Sequence, residues 1–166
     1  MIAAKPTSKT TLTGAAGEYF VLYKLLRLGL LAGLPPAGAP DVDVLVIDDD
    51  ANVLISLQVK TRRKGADKGW HMKERHEKLV SPRLFYVLVD MEPGEPVCYV
   101  IPSSVVTDCV TKENQAWLAT PGKKGQPHNP HSMRRLLPKY PYQVEGFEDG
   151  WLERYREQWG LLEGVN

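Results

Sequence analysis

Asp43-Val44-Leu45-Val46-Ile47 and Leu54-Ile55-Ser56-Leu57-Gln58-Val59-Lys60 are two runs rich in branched aliphatic residues, separated by Asp48-Asp49-Asp50-Ala51-Asn52. Such runs joined by a short polar segment read as an antiparallel hairpin with a loop of about five residues. Pairing Asp48 near Val53 and counting back along both strands sets Asp43 opposite Gln58 and Asp41 opposite Lys60. Directly opposed side chains share one face, with Cβ atoms roughly 5 Å apart. A carboxylate, an amide oxygen and an ammonium are thereby predicted on one patch of sheet. The expectation depends on the register, because a slip of one residue would send half of these groups to the other face.

Working outward, Thr13-Gly14-Ala15-Ala16-Gly17-Glu18 opens a helical pattern that runs to about Leu28, with Thr13 as N-cap and Gly29 as terminator. At 100° per residue, Glu18 falls among Val21, Leu22, Leu25 and Leu26, whereas Lys24 and Arg27 fall opposite. A carboxylate on an apolar face needs a partner, since burying an unpaired charge costs several kcal/mol. The competing reading is an acid near a helix N-terminus, stabilised by the helix dipole.

Residues 33–40, Gly-Leu-Pro-Pro-Ala-Gly-Ala-Pro, form a connector that no regular element can accommodate. Beyond the hairpin come a basic stretch, an ambiguous segment from Met72 to Leu79, strands at Leu84–Val89 and Val97–Ile101, and a helix starting at Pro102-Ser103-Ser104. Thr120 to Pro130 reads as an exposed loop, and Trp151, Leu152, Tyr155, Trp159 and Leu162 fall at helical spacing in a terminal helix from about Gly150 to Leu161.

The chain has 166 residues, 43% of them hydrophobic, which predicts a single domain. A net charge of +1 gives no global case for binding a polyanion, so any such surface must be local. Lys60, Arg62, Arg63, Lys64, Lys68, Lys73 and Arg75 supply a local cluster, and Arg62, Arg63, Lys64 and Lys68 are the expected phosphate contacts. Cys98 and Cys109 are too few for a disulfide framework and lack zinc-site spacing. The apolar run Tyr19–Leu34 is interrupted by Lys24 and Arg27 and is shorter than a membrane span, so a soluble, cytoplasmic protein is expected with no membrane partner. The pair His128-Asn129-Pro130-His131 superficially suggests a histidine-based nuclease motif. Pro130 breaks any helix that would align two ligands, so all four histidines are read as structural. Trp70 serves either to stack on a base or to close the sheet edge.

Gly14-x-x-Gly17-Glu18 on a helix, Asp41-Val42-Asp43 leading into a strand and Gln58-Val59-Lys60-Thr61 ending the next resemble the PD-(D/E)XK nuclease superfamily, which includes restriction endonucleases and Holliday-junction resolvases. The resemblance covers Thr13 to Thr61. It implies an α/β fold with a restriction-endonuclease-like αβββαβ core, a central mixed sheet flanked by helices. Residues 1–12 would form a flexible leader, 13–110 the core, and 111–166 an extension with a loop at 119–131 and the terminal helix.

The resemblance further implies catalytic Glu18, Asp43, Gln58 and Lys60, with Glu18, Asp43 and Gln58 holding Mg²⁺ or Mn²⁺ through oxygen ligands. Pro40-Asp41 spells the motif's literal dipeptide, yet Asp43 leads directly into the apolar strand. Gln58 stands where most members carry an acid. The implied activity is metal-dependent hydrolysis of phosphodiester bonds, with DNA as the preferred partner. The alternatives are a non-catalytic nucleic-acid-binding module on the same fold and a purely structural or partner-binding α/β domain. Cleaving both strands would require two sites and hence a homodimer, for which no residue pattern stands out in the sequence.

Overall fold

The computed structural model describes residues 9–36, 38–50, 52–63, 68–91 and 94–163. In chain order the elements are α1 (Lys9–Arg27), β1 (Ala32–Gly33), β2 (Val44–Ile47), β3 (Val53–Arg63), β4 (Trp70–Lys73), a 3-10 turn (Glu74–Glu77), β5 (Leu84–Met91), β6 (Val97–Pro102), α2 (Ser103–Ala119), β7 (Met133–Leu136) and two further 3-10 segments, Trp151–Tyr155 and Trp159–Leu162. Five strands form one mixed sheet in the order β1-β2-β3-β5-β6, and β4 with β7 forms a separate antiparallel pair.

The hairpin register is the one that the apolar alternation demands. Val44 faces Leu57 and Val46 faces Ile55, and the ladder ends there: the Asp43 amide donates to the Leu57 carbonyl at 2.8 Å, next to Gln58. A bulge between Val46 and Ile47 moves Val53 opposite Ile47, a shift of one residue from the simple count that leaves the inner pairs unchanged. β3 then pairs with β5 in parallel, Gln58 against Tyr86, Lys60 against Leu88 and Arg62 against Asp90. A parallel neighbour needs a crossover, and β4 with the 3-10 turn lies within that connection.

Strand alternation sorts the core into two layers. Phe85, Val87 and Val89 of β5 join Val21 and Leu25 of α1 with Val44, Val46, Ile55, Leu57 and Val59 on one face. Leu84, Tyr86 and Leu88 point the other way, to Val106, Cys109 and Val110 of α2 and to Trp70, Met72 and Leu136 of the small pair. β5 is buried through seven consecutive residues, as expected of a strand covered on both faces.

Three expectations change. The first helix starts at Lys9, four residues before Thr13 and inside the span expected as a leader. Thr13 does not cap it, because its hydroxyl donates back to the Lys9 carbonyl at 2.8 Å within the helix. Residues 1–8 of that leader lie outside the described residues. The terminal helix is not continuous: Arg156 is extended and bridges to Tyr99, and Glu157 takes a left-handed φ of 51°, which separates the two 3-10 segments. The C-terminal stretch is also woven into the fold, since α2 runs through residue 110 to Ala119 and β7 pairs with β4. Among the described residues no helix is long and apolar enough to cross a membrane.

α1 lies close over β3 at Gly17, where an added Cβ would stand 1.8 Å from Thr61 Oγ1 and 2.9 Å from its Cβ. Gly14, one turn earlier, has open space around it. Gly17→Ala is therefore expected to destabilise the fold by about 1–3 kcal/mol through overpacking. Gly14→Ala should stabilise it by up to about 1 kcal/mol through helix propensity. Urea denaturation of both variants checks the pair; equal effects would remove the close-packing argument.

Candidate active site

Glu18 follows Gly17 directly, so the tight α1–β3 approach fixes where its carboxylate stands. Its pKa is raised, chiefly by burial and secondly by the negative charge of Asp43, with Lys60 opposing. Asp43 leads into β2, and its Oδ2 accepts a 2.7 Å hydrogen bond from the Val59 amide between Gln58 and Lys60. That bond ties the carboxylate to the neighbouring strand. The Lys60 ammonium is pushed below its ordinary pKa by burial; Asp43 and Asp41 oppose the shift, while Arg75 and Lys73 reinforce it. Glu18 of α1 and Lys60 of β3 thus both lie close enough to Asp43, at the entry to β2, to feel its charge.

Gln58 is 3% exposed, and its amide oxygen lies 3.2 Å from His76 Nε2. His76 Nδ1 lies 2.8 Å from the Lys73 amide nitrogen and 2.9 Å from the Lys73 carbonyl oxygen, so the 3-10 turn fixes the ring that meets Gln58. Burial lowers the His76 pKa, in keeping with a neutral ring. A carboxylate in place of Gln58 would instead draw the histidine towards its charged form.

Asp41 adopts a left-handed φ of 58° and pairs with Arg75 of the 3-10 turn at 2.6 Å. Tyr86, paired with Gln58 across the parallel ladder, has a buried hydroxyl without a hydrogen-bond partner. His76 packs edge-on against the Tyr86 ring at 5.9 Å between centroids. The sequence offers Arg75 only as a member of the basic cluster and His76 only as a structural histidine, and nothing in it singles out Tyr86. The alternation Trp70-His71-Met72-Lys73, buried at Trp70 and Met72 only, was the available signal that a strand carries the chain into this turn.

The basic stretch does not form one solvated surface. Arg63 and Lys68 are exposed, and Lys64 lies outside the described residues. Arg62 turns inward: Nε and Nη2 donate to the two Asp90 oxygens at 3.1 and 2.7 Å, Nη1 donates to the Lys68 carbonyl at 2.8 Å, and the guanidinium lies 4.1 Å from the Trp70 ring centroid. Trp70 is itself buried, donating from Nε1 to the Val89 carbonyl, so its indole is structural. His128 and His131 pack on Trp117 at 4.1 and 4.7 Å between ring centroids, beside a cavity of about 370 Å³ whose lining includes Glu113 and Tyr142.

The donor chemistry suits a hard divalent cation: two carboxylates, of which Glu18 is raised in pKa by burial and then by the charge of Asp43, with a neutral oxygen on β3. Asp43 keeps Oδ1 clear of the Val59 bond, and Gln58 Oε1 keeps a second lone pair beyond His76.

The mixed five-stranded sheet flanked by helices is a nuclease-like α/β fold. A solved bacterial homing endonuclease, I-Ssp6803I, has the same fold, with a TM-score of 0.56 over 96% of this chain and 95% of that one, at 19% sequence identity. No protein-family model matches the chain, and no curated protein matches it in sequence.

Asp90→Ala is expected to cost about 3–5 kcal/mol, because it strands the Arg62 guanidinium in the interior. Chemical denaturation measures the loss. A change below about 1 kcal/mol, as for an exposed pair, would contradict the burial described.

Proposed function

We propose that the chain is a divalent-metal-dependent nuclease acting on DNA, a variant of the PD-(D/E)XK superfamily with glutamine at the acid position. The observation that supports this most is that the charge of Asp43, whose Oδ2 is bonded to the Val59 amide beside Lys60, acts on both Glu18 of α1 and Lys60 of β3. Glu18, Asp43 and Gln58 would hold Mg²⁺ or Mn²⁺. When bound, such an ion lowers the pKa of a coordinated water and offsets charge growing on a phosphate oxygen. Asp43 is held by the Val59 amide and so keeps its ligand geometry. Lys60, part-buried and with its proton loosened by burial, orients the attacking water and accepts its proton. His76 holds the Gln58 amide in one orientation. Arg63, Lys64 and Lys68 contact phosphates, whereas Arg62 is held inward by Asp90 and the Lys68 carbonyl.

A second reading, a binding module without hydrolysis, draws on Gln58 itself: among the described residues no group of three His, Cys, Asp or Glu side chains could hold a metal. Cleavage of plasmid and branched DNA with Mg²⁺, Mn²⁺ or chelator separates the readings. Lys60→Ala should lower any metal-dependent cleavage by about 100-fold or more with the melting temperature retained. Asp43→Asn should weaken metal binding more than Gln58→Ala, because a full charge holds a hard cation better than an amide dipole. Calorimetric titration measures this, and wild-type protein that binds no divalent ion even with DNA present would leave the binding module.

Neutralising Arg63, Lys64 and Lys68 together should weaken DNA binding uniformly across sequences. It should also reduce the slope of log affinity against log salt by about 0.9 for each duplex phosphate that is no longer neutralised. Affinities over a salt series test this, and an unchanged slope would remove the stretch from the interface.

A further inference from the structure

α1 has two apolar faces. Gly17, Val21 and Leu25 are buried against the sheet. On the opposite side Leu12, Ala16, Tyr19, Tyr23 and Leu26 are all exposed, the four large ones by 57, 63, 54 and 51% of their surface. Their spacing is four, three, four, three. At 100° per residue they occupy an arc of about 80°, centred some 180° from the buried face. Leu28, Leu31 and Leu34 follow, also exposed, so seven of the eleven exposed large hydrophobics among the described residues fall within residues 12–34. No charged residue interrupts the stripe between Leu12 and Leu26.

We propose that this stripe is a self-association surface on which α1 packs antiparallel against α1 of a second copy, about a two-fold axis near Tyr19. A seam repeating every 3.5 residues is the pattern by which one helix packs on another. Its side chains are also self-complementary in size about its centre. Antiparallel pairing sets Leu12 across from Leu26 and small Ala16 across from large Tyr23, with Tyr19 on Tyr19 at the axis alone, whereas a parallel in-register pair would set both tyrosines on themselves and Ala16 on Ala16. An isologous contact of this kind closes as a dimer and leaves no open end. The five residues expose roughly 500 Å² per copy, so a pair would bury about 1,000 Å², the size at which specific interfaces begin. The inference stands apart from the nuclease reading, because it uses none of the site's residues.

Analytical ultracentrifugation of the full chain, without nucleic acid, reads the assembly. The wild type is expected as a two-chain species, and Tyr19→Glu or Leu26→Glu should raise its dissociation constant at least about tenfold with unchanged far-ultraviolet circular dichroism. Cysteine crosslinking then tests the orientation, the native Cys98 and Cys109 being buried. Tyr19→Cys should crosslink to itself under mild oxidation, and Leu12→Cys should crosslink to Leu26→Cys when the two are mixed. Wild type that remains a single chain at high concentration would overturn the surface. Self-crosslinking of Leu12→Cys as efficient as that of Tyr19→Cys would overturn the antiparallel arrangement.

Discussion

The distance between α1 and β3 at Gly17 governs the geometry of this molecule. A helix lies that low over a strand only where a side chain is missing, and the missing Cβ is the one that would overlap Thr61. Because Glu18 is the next residue and Thr61 follows Lys60, one contact fixes the height of the helix and brings the acid beside the lysine. Raising α1 by the thickness of a methyl group would loosen Val21 and Leu25 from their layer and draw Glu18 away from Asp43 together.

A second constraint acts from below. Arg62 and Asp90 face each other across the parallel β3–β5 ladder and are both nearly sealed from solvent, so each charge depends on the other. Such a pair is a weak source of net stability but a strong penalty against misalignment. Sliding β5 by one residue would bury both charges unpaired. The pair thereby specifies the register that sets Gln58 beside Tyr86, and with it the approach of His76.

The hairpin was legible in the sequence because two apolar runs with a short polar loop leave few registers, and the correct one follows from alternation at Val44, Val46, Ile55 and Leu57. The helix carrying Glu18 was legible from its apolar spacing, although only one of its two faces was recognised. Leu26 was grouped with Val21 and Leu25, yet it belongs to the exposed side. Arg62 was read with its basic neighbours because its partner lies 28 residues away across a parallel pairing, which no local pattern announces. The terminal aromatics have helical spacing, but Arg156 and Glu157 are drawn out to bond β6, and spacing alone does not show that competition.

That C-terminal segment has a wider consequence. A mixed sheet ends in two edges that present unpaired backbone groups to any passing strand. Here one edge is β1, only two residues long, and the other is β6, where Cys98 donates its amide to Glu157 Oε1 and its carbonyl accepts the Glu157 amide. Glu157 also receives the Trp159 indole proton and lies 3.6 Å from Lys24. The segment at Arg156 and Glu157 therefore works as a selvedge, a finished border along the Cys98–Tyr99 stretch of β6 that hinders another strand from adding there. Removing it would convert a protein that ends at β6 into one with an open template for aggregation.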